Sequence, residues 1–191
     1  MTPLILGVLA WSVVHLFPIW ARPTRNRVFG ALGEWPYRAL FALVTLGTVA
    51  LTAYGYRQAP VVNLWFPPSF MVHLNNILMV VAVPIFIAGA VASPVRRWIR
   101  HPQLIGVKIW ALAHLLANGD LASVILFGGC MAWAVVALIG TNRRDGPRVD
   151  FPHVHRIGVL VHVLLAGALF CIVAFLHFRL GVWPFPGGPP G

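Results

Sequence analysis

RHPQLIGVKIWALAHLLANGD, residues 100–120, is the stretch on which the fold turns. Its apolar run, 103–117, is about 15 residues or roughly 22 Å of helix, set against a hydrocarbon core of about 30 Å. So short a run either crosses once or turns back as a re-entrant segment. The charges in the loops decide between the two. If every apolar run crosses once, Arg22, Arg25, Arg27, Arg38, Arg96, Arg97, Arg100, Lys108, Arg143, Arg144, Arg148 and Arg156 collect on one side, with Arg57 and Arg179 on the other. That is a strong positive-inside bias, and a re-entrant segment would move the arginines of 143–156 to the sparse side. Lys108 can snorkel back to the basic face.

The remaining apolar runs fall at 4–21, 37–56, 70–92, 121–140 and 158–179. The expected fold is therefore an all-α integral membrane protein, a bundle of six transmembrane helices with both termini on the non-cytoplasmic side. Loops 22–36, 93–102 and 141–157 are then inside. Composition agrees: 59% of the 191 residues are hydrophobic, 9% are charged and the mean hydropathy is +0.83, more than a soluble domain of this size can bury. A formal charge of +10 suits loops facing anionic lipid. Nothing resembles a nucleic-acid reading module, so the expected partner is the lipid bilayer and not nucleic acid.

Residues 1–180 read as one transmembrane domain, and 181–191, "GVWPFPGGPPG", as a flexible tail too rich in Pro and Gly for a helix. The first run lacks the basic n-region and cleavage site of a signal peptide and reads as a retained helix. Pro84 should kink the third span, and Gly128-Gly129 should give the fifth a surface for close packing. Asn118-Gly119-Asp120 is punctuation, with Gly119 ending the fourth span and Asp120 capping the fifth. Cys130 and Cys171 lie inside apolar runs and read as small buried hydrophobes, not a disulfide.

Eight histidines against four carboxylates is the unusual balance, because ionisable groups inside a bilayer mark functional sites by default. Counted from the inner boundary, His15 lies ~9 Å deep, His162 ~8 Å and His114 ~16 Å, so these three can share a middle layer. His73 and His177 should lie near the outer surface, and His101, His153 and His155 at the inner face. Neutral imidazoles from two helices can hold a metal or a haem iron. An apolar slot suits a porphyrin whose propionates reach Arg22, Arg100 or Arg156. The plainer reading of each buried histidine is a hydrogen bond that ties helices together.

A zinc site at His153-x-His155, with His162 seven residues on, lacks a nearby Glu to act as base. Glu34, Asp120, Asp145 and Asp150 all fall in loops and do not pair for acid/base work. Asn75 and Asn76 follow His73 and read as an interhelical hydrogen-bond patch. Trp110, one turn before His114, can support the imidazole or stack on a flat ligand.

Arg100-His101-Pro102-Gln103, then Gly106, Trp110, Ala113-His114 and Ala117-Asn118-Gly119-Asp120, with His15 and His73-x-x-Asn76, resemble the NnrU family of bacterial inner-membrane proteins along essentially the whole chain. That family is associated with denitrification. The chain is also similar to plant and algal 15-cis-zeta-carotene isomerases, which use haem b. The resemblance implies a haem b protein of the bacterial inner membrane acting in nitrogen-oxide or redox metabolism. His15 and His114 are its expected axial ligands, Arg22, Arg100, His101 and Trp110 its expected surroundings, and His73 and His162 the reserve metal candidates. It leaves two alternatives, a non-enzymatic scaffold or assembly factor and a haem-dependent isomerase of a polyene, the latter taking a hydrophobic small molecule as substrate. One departure matters: the isomerases carry Cys one turn before the second histidine, where this chain has Ala111. The R-H-P signature also looks like that of isoprenylcysteine and phospholipid methyltransferases. Gln103-Leu104 breaks their pattern, and no Glu follows Glu34 to supply their acidic motif.

Overall fold

The structure, a computed structural model, describes residues 1–147 and 155–185. They form α1 (Thr2–Trp20), α2 (Arg22–Leu32), α3 (Glu34–Arg57), α4 (Met71–Ala88), α5 (Pro102–Ala117), α6 (Leu121–Asp145) and α7 (Arg156–Arg179). Five of these, α1, α3, α4, α6 and α7, are long and apolar enough to cross a membrane, and α5 is a shorter apolar helix. Among the described residues there is no strand, only an isolated bridge between Asn63 and Asp120. Large apolar side chains point outward, with Val13 66%, Leu164 61% and Phe175 60% exposed. Water would penalise that surface, whereas lipid accepts it because the helices satisfy their own backbones. The chain is a multi-pass helical membrane protein.

The stretch read as an inner loop, 22–36, is largely helix α2. Pro23 sits in its first turn, where the missing N–H costs nothing. The Arg25 guanidinium lies over the rings of Phe29 and Tyr37, 5.0 and 5.4 Å from their centroids. Gly33 ends the helix at φ 80°, in the region that favours glycine.

The chain divides into two compact units, Met1–Trp65 with Gly119–Gly146, and Phe66–Asn118 with Pro147–Gly191. In the first, glycines let backbones meet. Gly55 lies against the backbone of Leu4, and a Cβ on Gly7 would fall 2.5 Å from Thr52 Oγ1, so α1 packs on α3 at close range. Gly129 receives Val8, as its small-residue reading required, and Leu4, Val8 and Ala122 form the buried core.

Asp120 caps α6 as expected, accepting from the Ser123 N–H at 2.9 Å and the Ser123 hydroxyl at 2.6 Å, while the Tyr56 hydroxyl donates to Ser123 Oγ at 2.9 Å. Gly119 plays a different part from the one expected. It makes no left-handed turn, since among the described residues the positive-φ positions are Gly33, Gly146 and Gly181. Instead its carbonyl accepts from the N–H groups of Leu64 and Trp65 at 2.7 and 3.1 Å. Past the cap, α6 widens into a π-helical stretch at Val124–Gly128 before the regular helix resumes at Gly129.

In the second unit α4 runs antiparallel to α5. Gly106 faces Phe86 and Gly89 faces Gln103, so residue 78 lies level with 114. The α4 helix continues through Pro84, whose carbonyl accepts from His162 Nε2 of α7 at 2.8 Å. Ser93 Oγ donates to His162 Nδ1 at 3.1 Å and itself accepts from the Val95 N–H at 3.2 Å. His162 is thus a buried strut joining α7 to α4 and to the turn that follows it.

Candidate functional site

Two histidines of the second unit come together. His114 and His177 have ring centroids 6.4 Å apart and planes inclined by 40°. Each stands in the last turn of its helix, and its own carbonyl closes that helix. The His114 carbonyl accepts from the Asn118 N–H at 2.9 Å and from Asn118 Nδ2 at 2.8 Å. The His177 carbonyl accepts from the N–H groups of Leu180 and Val182 at 3.1 and 2.9 Å, across the turn that Gly181 makes at φ 78°. These caps hold both backbones, and so both Cβ positions, at one end of the unit.

The side chains are oriented alike. His114 Nδ1–H donates to the Trp110 carbonyl at 2.9 Å, and His177 Nδ1–H to the Val173 carbonyl at 2.8 Å. A neutral imidazole that donates through Nδ1 carries its lone pair on Nε2, the tautomer of a metal ligand. In that tautomer the second ring nitrogen of each residue is an acceptor. Metal–nitrogen bonds of about 2.0–2.1 Å, plus about 1 Å from nitrogen to ring centre, place the centroids roughly 6 Å apart, close to the separation found.

Below the pair lies an apolar slot of about 170 Å³ among α4, α5 and α7, lined by Met79, Ala82, Val83, Phe86, Gly106, Val107, Trp110, Leu169 and Val173. Trp110 and Val173 are the very residues that accept from the two histidines, so the slot begins one turn beneath them. Trp110 also sets its ring 5.3 Å from that of His114. The lack of side chain at Gly106 keeps this wall thin: a Cβ there would lie 2.8 Å from Phe86 Cβ. On α4, within one turn of the His114 level, Asn75 Oδ1 and Asn76 Nδ2 are buried without hydrogen-bond partners, as is Trp183 Nε1 just past α7.

The other residues expected at a site are distributed differently. His15 belongs to the first unit. It donates Nδ1–H to the Trp11 carbonyl at 2.8 Å, and its ring is flanked by Trp11, Phe41 and Trp133 at centroid distances of 4.3, 5.6 and 5.9 Å. His162, a reserve metal candidate expected in one layer with His114, has both ring nitrogens committed to Ser93 and Pro84 and neither left for a metal. His73 is exposed near the start of α4, and Arg22 is exposed at the start of α2. Arg100 and His101 stand at the opposite end of α5 from His114, roughly 20 Å away along the helix, and Arg156 begins α7 at the end remote from His177. Arg100 and Arg156 therefore do not meet this histidine pair. His155 caps α7, its Nδ1 accepting from the Ile157 N–H, while His153, Arg148 and Asp150 lie outside the described residues. Cys130 is buried as expected, but Cys171 is exposed on the surface of α7.

Depth along the spans sets His114 in a middle layer and His177 near the outer surface, because such a count takes no account of how the two helices align at their ends. Counted from the C-terminal ends of their helices, Ala117 and Arg179, each is within one turn of the end. Among the described residues no group of three His, Cys, Asp or Glu side chains could hold a metal ion. A bare zinc ion, which takes three or four protein ligands, does not fit a pair. A haem iron asks the protein for axial ligands alone, so two histidines are enough in number for it.

Comparison with known proteins adds one match: residues 3–184 fit the family model described as NnrU protein. No curated protein and no solved structure matches the chain.

Proposed function

The chain belongs to the NnrU family, and from that premise we propose that it is a haem b-binding protein of the bacterial inner membrane acting in nitrogen-oxide or redox metabolism, with His114 as an axial ligand of the iron. The observation that carries this reading is the imidazole pair: two histidines with 6.4 Å between ring centroids, each donating through Nδ1, above an apolar slot and, among the described residues, with no group of three metal-ligating side chains. Haem would supply an iron able to change oxidation state or bind a small diatomic or nitrogen-oxide ligand. The protein would supply His114, its orientation by the Trp110 carbonyl, and a dry apolar surround that shields the iron from water. The same reading has α5 crossing the bilayer as a sixth span and both termini on the non-cytoplasmic side, as the loop charges favour.

The slot supports a second reading, haem-dependent isomerisation of a polyene, since its lining suits a hydrocarbon chain brought against the iron. Ala111, fully buried where the isomerases carry Cys, weighs against it, and an unchanged carotenoid profile in a deletion strain would eliminate it. The primary test is a reduced-minus-oxidised spectrum of the detergent-purified protein with metal analysis alongside. A Soret band and stoichiometric iron are expected. A colourless protein after growth with a haem precursor, or one that carries copper or zinc in place of iron, would refute the haem assignment.

A further inference from the structure

We infer that the first unit holds a single bound water molecule among His15 of α1, Thr45 of α3 and Trp133 of α6, polar groups that the packing of these helices brings to one place. The register puts them there. Gly7 lies against Thr52 and Gly55 against Leu4, so α1 and α3 run antiparallel and residue 44 lies level with residue 15. Phe41, Thr52 and Gly55 mark the face of α3 that meets α1, and Thr45, one turn from Phe41, falls on that face. Helix α6 runs parallel to α1, since Gly129 receives Val8 and Gly140 lies against Ile19 and Trp20. Trp133 is therefore level with Ser12, and its ring lies 4.6 and 5.9 Å from those of Trp11 and His15 between centroids.

Two of the three groups are orphans. Thr45 Oγ1 and Trp133 Nε1 are buried without hydrogen-bond partners, a costly state where lipid surrounds the helices and one that a bound group relieves. Thr45 is unlike Ser12, Thr48, Thr52 and Thr141, each of which turns its hydroxyl back on a carbonyl of its own helix, at 2.7 or 2.8 Å. Its own hydroxyl is left for a partner elsewhere. The third group has its role set by its other nitrogen: His15 Nδ1–H donates to the Trp11 carbonyl at 2.8 Å, which makes Nε2 the acceptor of the ring. A molecule lying among them must accept from the indole N–H, donate to the imidazole and make either kind of bond with the hydroxyl. An anion without a proton has nothing to give Nε2, and a bare metal cation has no lone pair for the indole. A neutral molecule with both functions meets all three groups. Rings with centroids 4.3 to 5.9 Å from one another suit one of water's size, and about two to four polar partners are what a buried water needs. Its bonds join α1, α3 and α6 where the three side chains make none to one another.

The test is nuclear magnetic resonance of the full-length, isotope-labelled protein in detergent micelles. Trp133→Phe identifies the Trp133 indole N–H by the peak that it removes. In the wild type that N–H should show a nuclear Overhauser cross peak to water. Thr45→Val, which keeps the shape of the side chain, and His15→Phe, which keeps a ring, should each lose most of it. The absence of the cross peak from the wild type overturns the proposal. So does a cross peak that survives unchanged in either variant, since that residue would then take no part in holding the water. Should His15→Phe fail to fold, the nearly isosteric Thr45→Val decides. The readout involves no haem, so its outcome is separate from that of the haem reading.

Discussion

His15 and His114 make the same local structure in two different units. Each donates Nδ1–H to a tryptophan carbonyl four residues back, Trp11 at 2.8 Å and Trp110 at 2.9 Å, and each lies beside that tryptophan's ring, at 4.3 and 5.3 Å between centroids. Their tertiary neighbours separate them. Phe41 and Trp133 close around His15, whereas His114 faces a second imidazole and stands over an apolar slot. One W-x-x-x-H turn is packed by aromatic rings and the other stands beside a second imidazole, so the motif alone does not state the surroundings.

Substitutions can break or sharpen that contrast. The largest effect expected is on haem content: His114→Ala should lose nearly all of it, measured as Soret absorbance per protein, while His15→Ala should keep it. Equal losses from the two would erase the distinction. Next, Gly106→Val would drive side-chain atoms into Phe86 and fill the slot wall, with a destabilisation of about 1–3 kcal/mol or more and weakened haem retention, read by thermal unfolding and by haem loss on dilution. His162→Ala should cost about 1–3 kcal/mol by leaving the buried Ser93 hydroxyl and Pro84 carbonyl without their partner, yet leave the Soret band unmoved. A spectral change there would mean that His162 is more than a strut. In the first unit, Asp120→Ala should lower stability by about 1 kcal/mol through loss of the α6 cap, again without spectral change. Smallest of all, Arg38→Ala should shift stability by less than about 1 kcal/mol, because its pairing with Glu34 is exposed.

Much of this fold is written openly in the sequence. Apolar length marks the spans, Asp120 marks the start of α6, and the brevity of the 103–117 run is the brevity of α5. The parts that hid have physical reasons. Helix α2 carries its stability in arginine–aromatic stacking and a proline start, with no apolar run to announce it. Gly119 looked like a helix terminator, but Asn118 ends α5 in extended geometry with its own side chain on the His114 carbonyl. The π-helical turn at Val124–Gly128 has no composition signature. The histidine pair hid for a subtler reason: His114 and His177 are far apart in sequence, and a helix of 16 residues and one of 24 align at their ends and not at a common depth.

Titration of haem b into apoprotein, wild type beside His114→Ala, tests the central claim most directly. A Soret difference that saturates at about one haem per chain in the wild type and fails to develop in the variant is the predicted result. Uptake that never saturates, or that is the same in both proteins, would mean that haem merely partitions into the detergent and apolar surface, and would contradict an iron site at His114.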